Sequence, residues 1–179
     1  MSVCLVNLFA LLLVSSCVLV QSGQFNSSIG QIAKTHEDKT MFESDIKVKY
    51  QDEKASAKIN GELKIFENLD NDWKVNITIL VAKTPLLPYS MHKDYPVMGV
   101  CDLMGSLYKN FLYAKIKDYS NAPDPSSCPL APQNFYLKDY TLHATELEKY
   151  FPTGFYKIYG ELLKDKEVKL GYMMEIVIG

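Results

Sequence analysis

The sequence predicts a mainly β protein, an antiparallel β-sandwich with one inserted amphipathic helix. Three observations carry that expectation. Runs in which apolar and polar residues alternate recur at short spacing, the mark of strands with one dry and one wet face. A single stretch after Pro96 changes to a three-to-four-residue period, as an amphipathic helix does. Turn-forming residues separate these runs, and no repeat, low-complexity segment or linker divides them; two packed sheets with a helix are the simplest way to bury them.

From Val3 to Val20 the chain is nearly all apolar and uncharged, then turns polar at Gln21, Ser22 and Gly23. That profile is a signal peptide covering residues 1–22, with Val20 and Ser22 at the small-residue positions of a cleavage site. An uncleaved anchor is one alternative, for which the run is short. A lipidation site at Cys17 is another, and the basic residues that would precede it are missing. Residues 23–179 then suit a single domain able to bury a core.

Residues 23–40 are polar, with a sequon at Asn26-Ser27-Ser28, and are expected to be a loosely held leading segment. Phe42, Ile46, Val48 and Tyr50 then share one face of a half-buried strand, and Glu43, Asp45, Lys47 and Lys49 the other. Ile59, Leu63 and Ile65 repeat the pattern, with Gly61 marking a possible bulge. In the next strand Trp73, Val75, Ile77, Ile79 and Val81 face one way, so Asn76 of the sequon Asn76-Ile77-Thr78 faces the wet side. An unused sequon is the alternative.

The prolines of Thr84-Pro85-Leu86-Leu87-Pro88-Tyr89 make that segment an apolar loop. Val100, Leu103, Met104, Leu107, Tyr108 and Phe111 then follow helical spacing, predicting a helix of about four turns from Met98 to Leu112. A turn-rich stretch from Tyr119 to Pro132 leads to three strands: Asn134–Leu142, Gly154–Leu163 and Val168–Ile178. The last alternates without a fault and should be integral to a sheet.

Four cysteines are present, and Cys4 and Cys17 depart with the signal. Cys101 and Cys128 remain, an even number in an oxidising compartment, and are expected to form a disulfide. Two free buried thiols are the alternative.

The net charge of −2 comes from interleaved lysines and acids without a basic face, which argues against a nucleic-acid partner. No later apolar run is long enough for stable membrane insertion. The product is therefore expected to be soluble, secreted and extracellular. His36, His92 and His143 are the only histidines, and none has the spacing of a zinc or calcium site. No phosphate-binding glycine loop, nucleophile elbow or reactive-cysteine arrangement is present. Glu146 and Glu148 lie in a charged stretch that solvation explains. These readings predict no metal, no cofactor and no enzymatic activity; a triad of residues distant in sequence is invisible at this level.

The order of Cys101-Asp102-Leu103-Met104, Tyr119-Ser120-Asn121, Cys128-Pro129, a Phe-Tyr-Leu strand and Phe151-Pro152-Thr153-Gly154-Phe155-Tyr156-Lys157 resembles an insect family of secreted proteins known as domain of unknown function 1091. The resemblance covers roughly Lys58 to Ile178. That family is similar to the ML lipid-recognition superfamily, which includes ganglioside activator protein, mite group two allergens and the Niemann-Pick type C sterol carrier. It implies an immunoglobulin-like, ML-like sandwich that takes a lipid between its sheets; some insect relatives are linked to chemosensation. ML proteins usually hold two or more disulfides, whereas this chain offers one.

Tyrosines, phenylalanines and methionines crowd the C-terminal half and suit either a core or an apolar pocket. If the helix closes one end of the sandwich, Leu103, Leu107, Phe111, Tyr156, Tyr172 and Met174 become candidate lining residues. The leading expectation is a carrier or presenter of an apolar small molecule or lipid. The alternative is an extracellular interaction module or receptor accessory subunit with a solid core, and a cavity of several hundred cubic ångströms separates the two.

Overall fold

In the computed structural model, which describes residues 26–179, alternation becomes two antiparallel sheets packed as a sandwich. The signal segment, with Cys4 and Cys17, lies outside the described residues. Strands β1 (Ser28–Glu37), β2 (Phe42–Gln51), β3 (Ser56–Ile65), β4 (Lys74–Ala82), β5 (Ser90–Asp94), β6 (Met98–Gly99), β7 (Gln133–His143), β8 (Gly154–Lys164) and β9 (Glu167–Ile178) follow in chain order. The larger sheet runs β1-β9-β8-β4-β5, with β6 also paired to β4; the smaller runs β2-β3-β7. Asp165 and Lys166, both with positive φ, form the two-residue turn between β8 and β9, the geometry that matches strand twist in a hairpin.

Three sequence expectations need correction. The leading segment is not loose: β1 pairs with β9 from Ser28↔Val177 to Glu37↔Leu170. Register shifts between Ile29 and Ile32 and between Lys34 and His36 reset its phase, which is why its apolar residues show no alternation. Strand β5 follows the proline loop unannounced, because a register shift opposite Ile79 and Leu80 disrupts its pattern too. The helix, α1, starts at Val100 rather than Met98, since Met98 and Gly99 pair with Val75 and Lys74. It runs to Tyr119 instead of ending at Leu112. It is α-helical over Val100–Leu103 and Tyr113–Ile116, π-helical over Met104–Leu112 and 3-10 over Lys117–Tyr119.

The start of α1 is fixed from outside. Asn71 Oδ1 accepts the amides of Cys101 at 2.9 Å and Asp102 at 3.2 Å, supplying the acceptor that a local cap normally provides. A side chain at position 99 would collide with the Asn71 amide, so glycine is required there by close approach. Cys101 and Cys128 form the expected disulfide. It ties α1 to the segment where Leu130 exchanges 2.9 Å backbone hydrogen bonds with Leu69. Beneath lies a cluster of Phe42, Ile65, Leu69, Trp73, Val100, Met104 and Leu170.

One lateral edge of the sandwich is sewn shut and the other is bridged by α1. At the closed edge, Glu37 on β1 accepts from Lys34 Nζ at 2.7 Å, Ser44 Oγ at 2.7 Å and Ser44 N at 2.8 Å on β2. Tyr50 donates to the Gly30 carbonyl at 2.7 Å. The hydrogen bonds from Lys34 and then Ser44 hold the Glu37 carboxyl at about 2, against an ordinary 4.5. A carboxyl depressed by folding adds stability that is fully present above its unfolded value and lost as pH falls through its folded value. Acid unfolding should therefore steepen from about pH 4.5 down to about pH 2, and Glu37→Gln should flatten that part of the profile. Identical acid profiles for the two proteins in far-UV circular dichroism would contradict this linkage.

Candidate functional site

At the bridged edge the two sheets stand apart beneath α1, leaving a cavity of about 580 Å³. Its floor is the inner face of β4, β8 and β9, where Ile79, Ile158 and Met174 stand side by side by register. Leu107, Phe111 and Leu112 of α1 form one wall; Tyr140 and Leu142 of β7 form another. The segment after β7 contributes Leu147, Tyr150 and Phe151. It is anchored where the Ala144 amide donates to the Ala55 carbonyl at 2.8 Å and the Leu147 amide to the Ala144 carbonyl at 3.0 Å. Phe111 and Tyr150 meet edge to face at the mouth, with ring centroids 6.4 Å apart.

A local irregularity creates the Tyr140 wall. Asp139 has φ of 52° and its amide donates to Asn60 Oδ1 at 3.0 Å. The β3–β7 register shifts between Ile59 and Gly61, next to the glycine expected to mark a bulge. Before the shift Phe135 and Leu137 face inward, after it Tyr140 and Leu142 do. The added residue turns what would be an outward tyrosine into the cavity.

The polar groups around the cavity are cationic, aromatic or paired. Lys115 Nζ lies 2.7 Å from Glu146 Oε2, and that hydrogen bond raises the lysine's pKa. Burial raises the pKa of the Tyr140 phenol. Lys93 Nζ sits 4.5 Å from the Tyr95 ring centroid. His92 packs edge to face on Tyr156 at 5.3 Å.

The six candidate lining residues divide among three places. Leu107, Phe111 and Met174 line the cavity just described. Tyr172 lines a neighbouring one of about 360 Å³, and Leu103 a third of about 240 Å³ nearer the disulfide. Tyr156 is 1 % exposed, packed with Ile79, Ile176 and Ile178 on the same inner face beyond the end of the floor, and its hydroxyl donates to the Pro152 carbonyl at 2.8 Å. For the helix residues the division follows from α1 running along the cleft, so that one apolar stripe passes more than one cavity. Gly160 lies between Ile77 and Tyr172 on the inner face. No atom stands within 4 Å of where its side chain would begin, so the floor is open between the first two cavities.

The lining residues outside the six candidates include Tyr140 and Leu142 of β7, Leu147, Tyr150 and Phe151 after it, His92 and Lys93 of β5 with Tyr95 beyond it, Leu112 and Lys115 of α1, and Ile158 of β8. The change of apolar phase between Leu137 and Tyr140 is the signal that could have found the first two. Of the candidate glycosylation positions, Asn26 is exposed. Asn76 lies on the outer face of β4, half-buried, with Nδ2 donating to Glu161 Oε2 at 3.0 Å. Among the described residues no group of three or more histidine, cysteine, aspartate or glutamate side chains could hold a metal ion. No described helix is long and apolar enough to cross a membrane.

The segment from β4 through α1 and into β8 holds most of these walls. Residues 75–158 match the family described as protein of unknown function DUF1091. Over those residues the chain is similar to the DUF1091 family. The match takes in α1, the disulfide, the Asp139 bulge and the Leu147–Phe151 segment, so the elements that shape the DUF1091 region also shape the cavity. No curated protein matches the chain.

Proposed function

We propose that this protein is a secreted, non-enzymatic carrier or presenter of a hydrophobic small molecule or lipid. The observation that supports it is the cavity of about 580 Å³ between the sheets, walled by aliphatic and aromatic side chains from both sheets and from α1. Its size falls in the range of small-molecule pockets. The resemblance to insect secreted proteins and to ML lipid-recognition domains supports the same reading and suggests a chemosensory setting. Glycans at Asn26 and Asn76 belong to this proposal, as does removal of residues 1–22.

Burying one methylene contributes about 0.8 kcal/mol, so a chain of ten to fourteen carbons has roughly 8 to 11 kcal/mol available before association costs. An association cost of about 4 kcal/mol leaves roughly 4 to 7 kcal/mol net, between millimolar and about ten-micromolar binding, so the longer chains are the natural occupants. Native mass spectrometry of protein secreted from insect cells should show co-purified lipid together with glycan mass. Titration with tetradecanol should give a markedly negative heat-capacity change. Leu107→Trp, which places an indole in the cavity, should weaken that binding at least tenfold while the unfolding midpoint stays near the parent's. If tetradecanol fails to bind and Leu107→Trp unfolds the protein, the helix is ordinary core.

The second reading is an extracellular interaction module or receptor accessory subunit. It is favoured by the proline loop, where Leu86 is 95 % exposed and Leu87 50 %, an apolar tip presented to solvent.

A further inference from the structure

We propose that the cavity selects an amphiphile with an anionic head, a long-chain carboxylate, and that Lys93 is the head-group contact. This inference rests on the carrier reading. Three observations carry it.

The first is the charge of the lining. Among the described side chains, its ionisable groups include Lys93 and Lys115 and no aspartate or glutamate. Lys115 is already neutralised by Glu146 at 2.7 Å. Among the described side chains Lys93 makes no ion pair, which leaves its ammonium as the lining cation without a described acidic partner.

The second is orientation. Lys93 stands opposite Ile79 in the β4–β5 ladder, and directly paired residues share a face of the sheet. Ile79 is 5 % exposed in the inner core, so Lys93 is on the cleft side of an edge strand. The register shift leaves His92 unmatched, and both residues line the cavity.

The third is the seat of the ammonium. Nζ rests over the ring of Tyr95 at 4.5 Å, and that ring itself lines the cavity. A carboxylate whose chain lies over Ile79, Ile158 and Met174 can reach this ammonium at the mouth without leaving its charge in the apolar interior, and a charge-assisted hydrogen bond to a lysine is among the stronger ones. A cationic head would meet repulsion at the same place.

The test compares tetradecanoate, tetradecanol and tetradecyltrimethylammonium as displacers of Nile red, each below its aggregation concentration. Tetradecanoate should displace the dye at about tenfold lower concentration than tetradecanol, as expected for a partly solvated charge-assisted contact, with the ammonium weakest. Added salt should shrink the preference. Lys93→Gln should remove most of it without changing tetradecanol binding, and Lys93→Arg should restore it. Equal binding of carboxylate and alcohol overturns the head-group inference and leaves the carrier reading standing. Failure of all three to displace the dye overturns both. A preference that survives Lys93→Gln, with the variant self-associating in sedimentation, identifies Lys93 instead as a guard against edge-to-edge pairing and also overturns the inference.

Discussion

Replacing Cys101 and Cys128 together with alanine should lower the free energy of unfolding by about 3 to 4 kcal/mol. The bond closes a loop of sequence separation 27, and the chain entropy it removes from the unfolded state grows with the logarithm of that length. Here the loop contains all of α1 beyond its first residue. Losing the bond also frees the segment whose Leu130 pairs with Leu69 over the core. With a urea m-value of about 2 kcal/mol/M the midpoint should fall by about 1.5 to 2 M. A shift below about 0.5 M would mean that the Asn71 contacts and the Leu69–Leu130 pairing hold the helix start without help.

Trp73→Ala should be as severe, costing about 3 to 5 kcal/mol. Trp73 is 2 % exposed, meets Phe42 edge to face at 5.4 Å, and lies under Lys164 Nζ at 4.9 Å. It therefore joins β4 to the smaller sheet and to the end of β8 in one side chain. The indole leaves a void that rigid neighbours on both sheets cannot close. Trp73→Phe should recover more than half of the loss, because a ring still reaches Phe42. If Trp73→Ala falls within about 1 kcal/mol of the parent in urea unfolding, the site collapses and the cluster is less rigid than its packing implies.

The parts of the fold that were legible in the sequence are those whose local period survives intact. Strand β9 keeps its alternation from Leu170 to Ile178, while a register shift opposite Leu162 and Leu163 turns Val168 to the other face, against the unbroken pattern expected of it. The same logic placed Trp73, Val75, Ile77, Ile79 and Val81 inward and Asn76 outward, and the ladder to β8 agrees. Strands β1 and β5 were illegible because register shifts near Ile32 and His92 spoil their period. An alternation rule reads such segments as coil.

The candidate site was legible by half for a different reason. Helical spacing put Leu107 and Phe111 on the stripe that lines the cavity, Phe111 at its exposed mouth, and β9 alternation put Met174 on the inner face. Neither rule gives the position of the helix along the cleft. That is why Leu103 and Tyr172 fall to neighbouring cavities. Tyr156 illustrates a separate limit: period two shows that it points inward, but only the packing of His92 and Phe151 against its ring shows that it is sealed. The opposite walls come from β7 and the segment after it, whose contact with α1 depends on tertiary pairing such as Lys115 with Glu146.

The strand order of the larger sheet has a consequence for biosynthesis. Its members β8 and β9 leave the ribosome after the other described strands, and among those strands β1 pairs in that sheet with β9 alone. Until Gly154 and the residues after it are made, β4 can pair only with β5 and β6, and Trp73 and Phe42 lack the Leu170 that completes their cluster. Contacts this distant in sequence make for slow folding. The β2–β3 hairpin and the apolar stripe of α1 must meanwhile wait exposed, when unpaired edges are most prone to aggregation. The disulfide can form earlier, since both its cysteines precede β7. Oxidation before the sheet closes would hold the helix start near Leu130 and shorten the search that the late strands must finish.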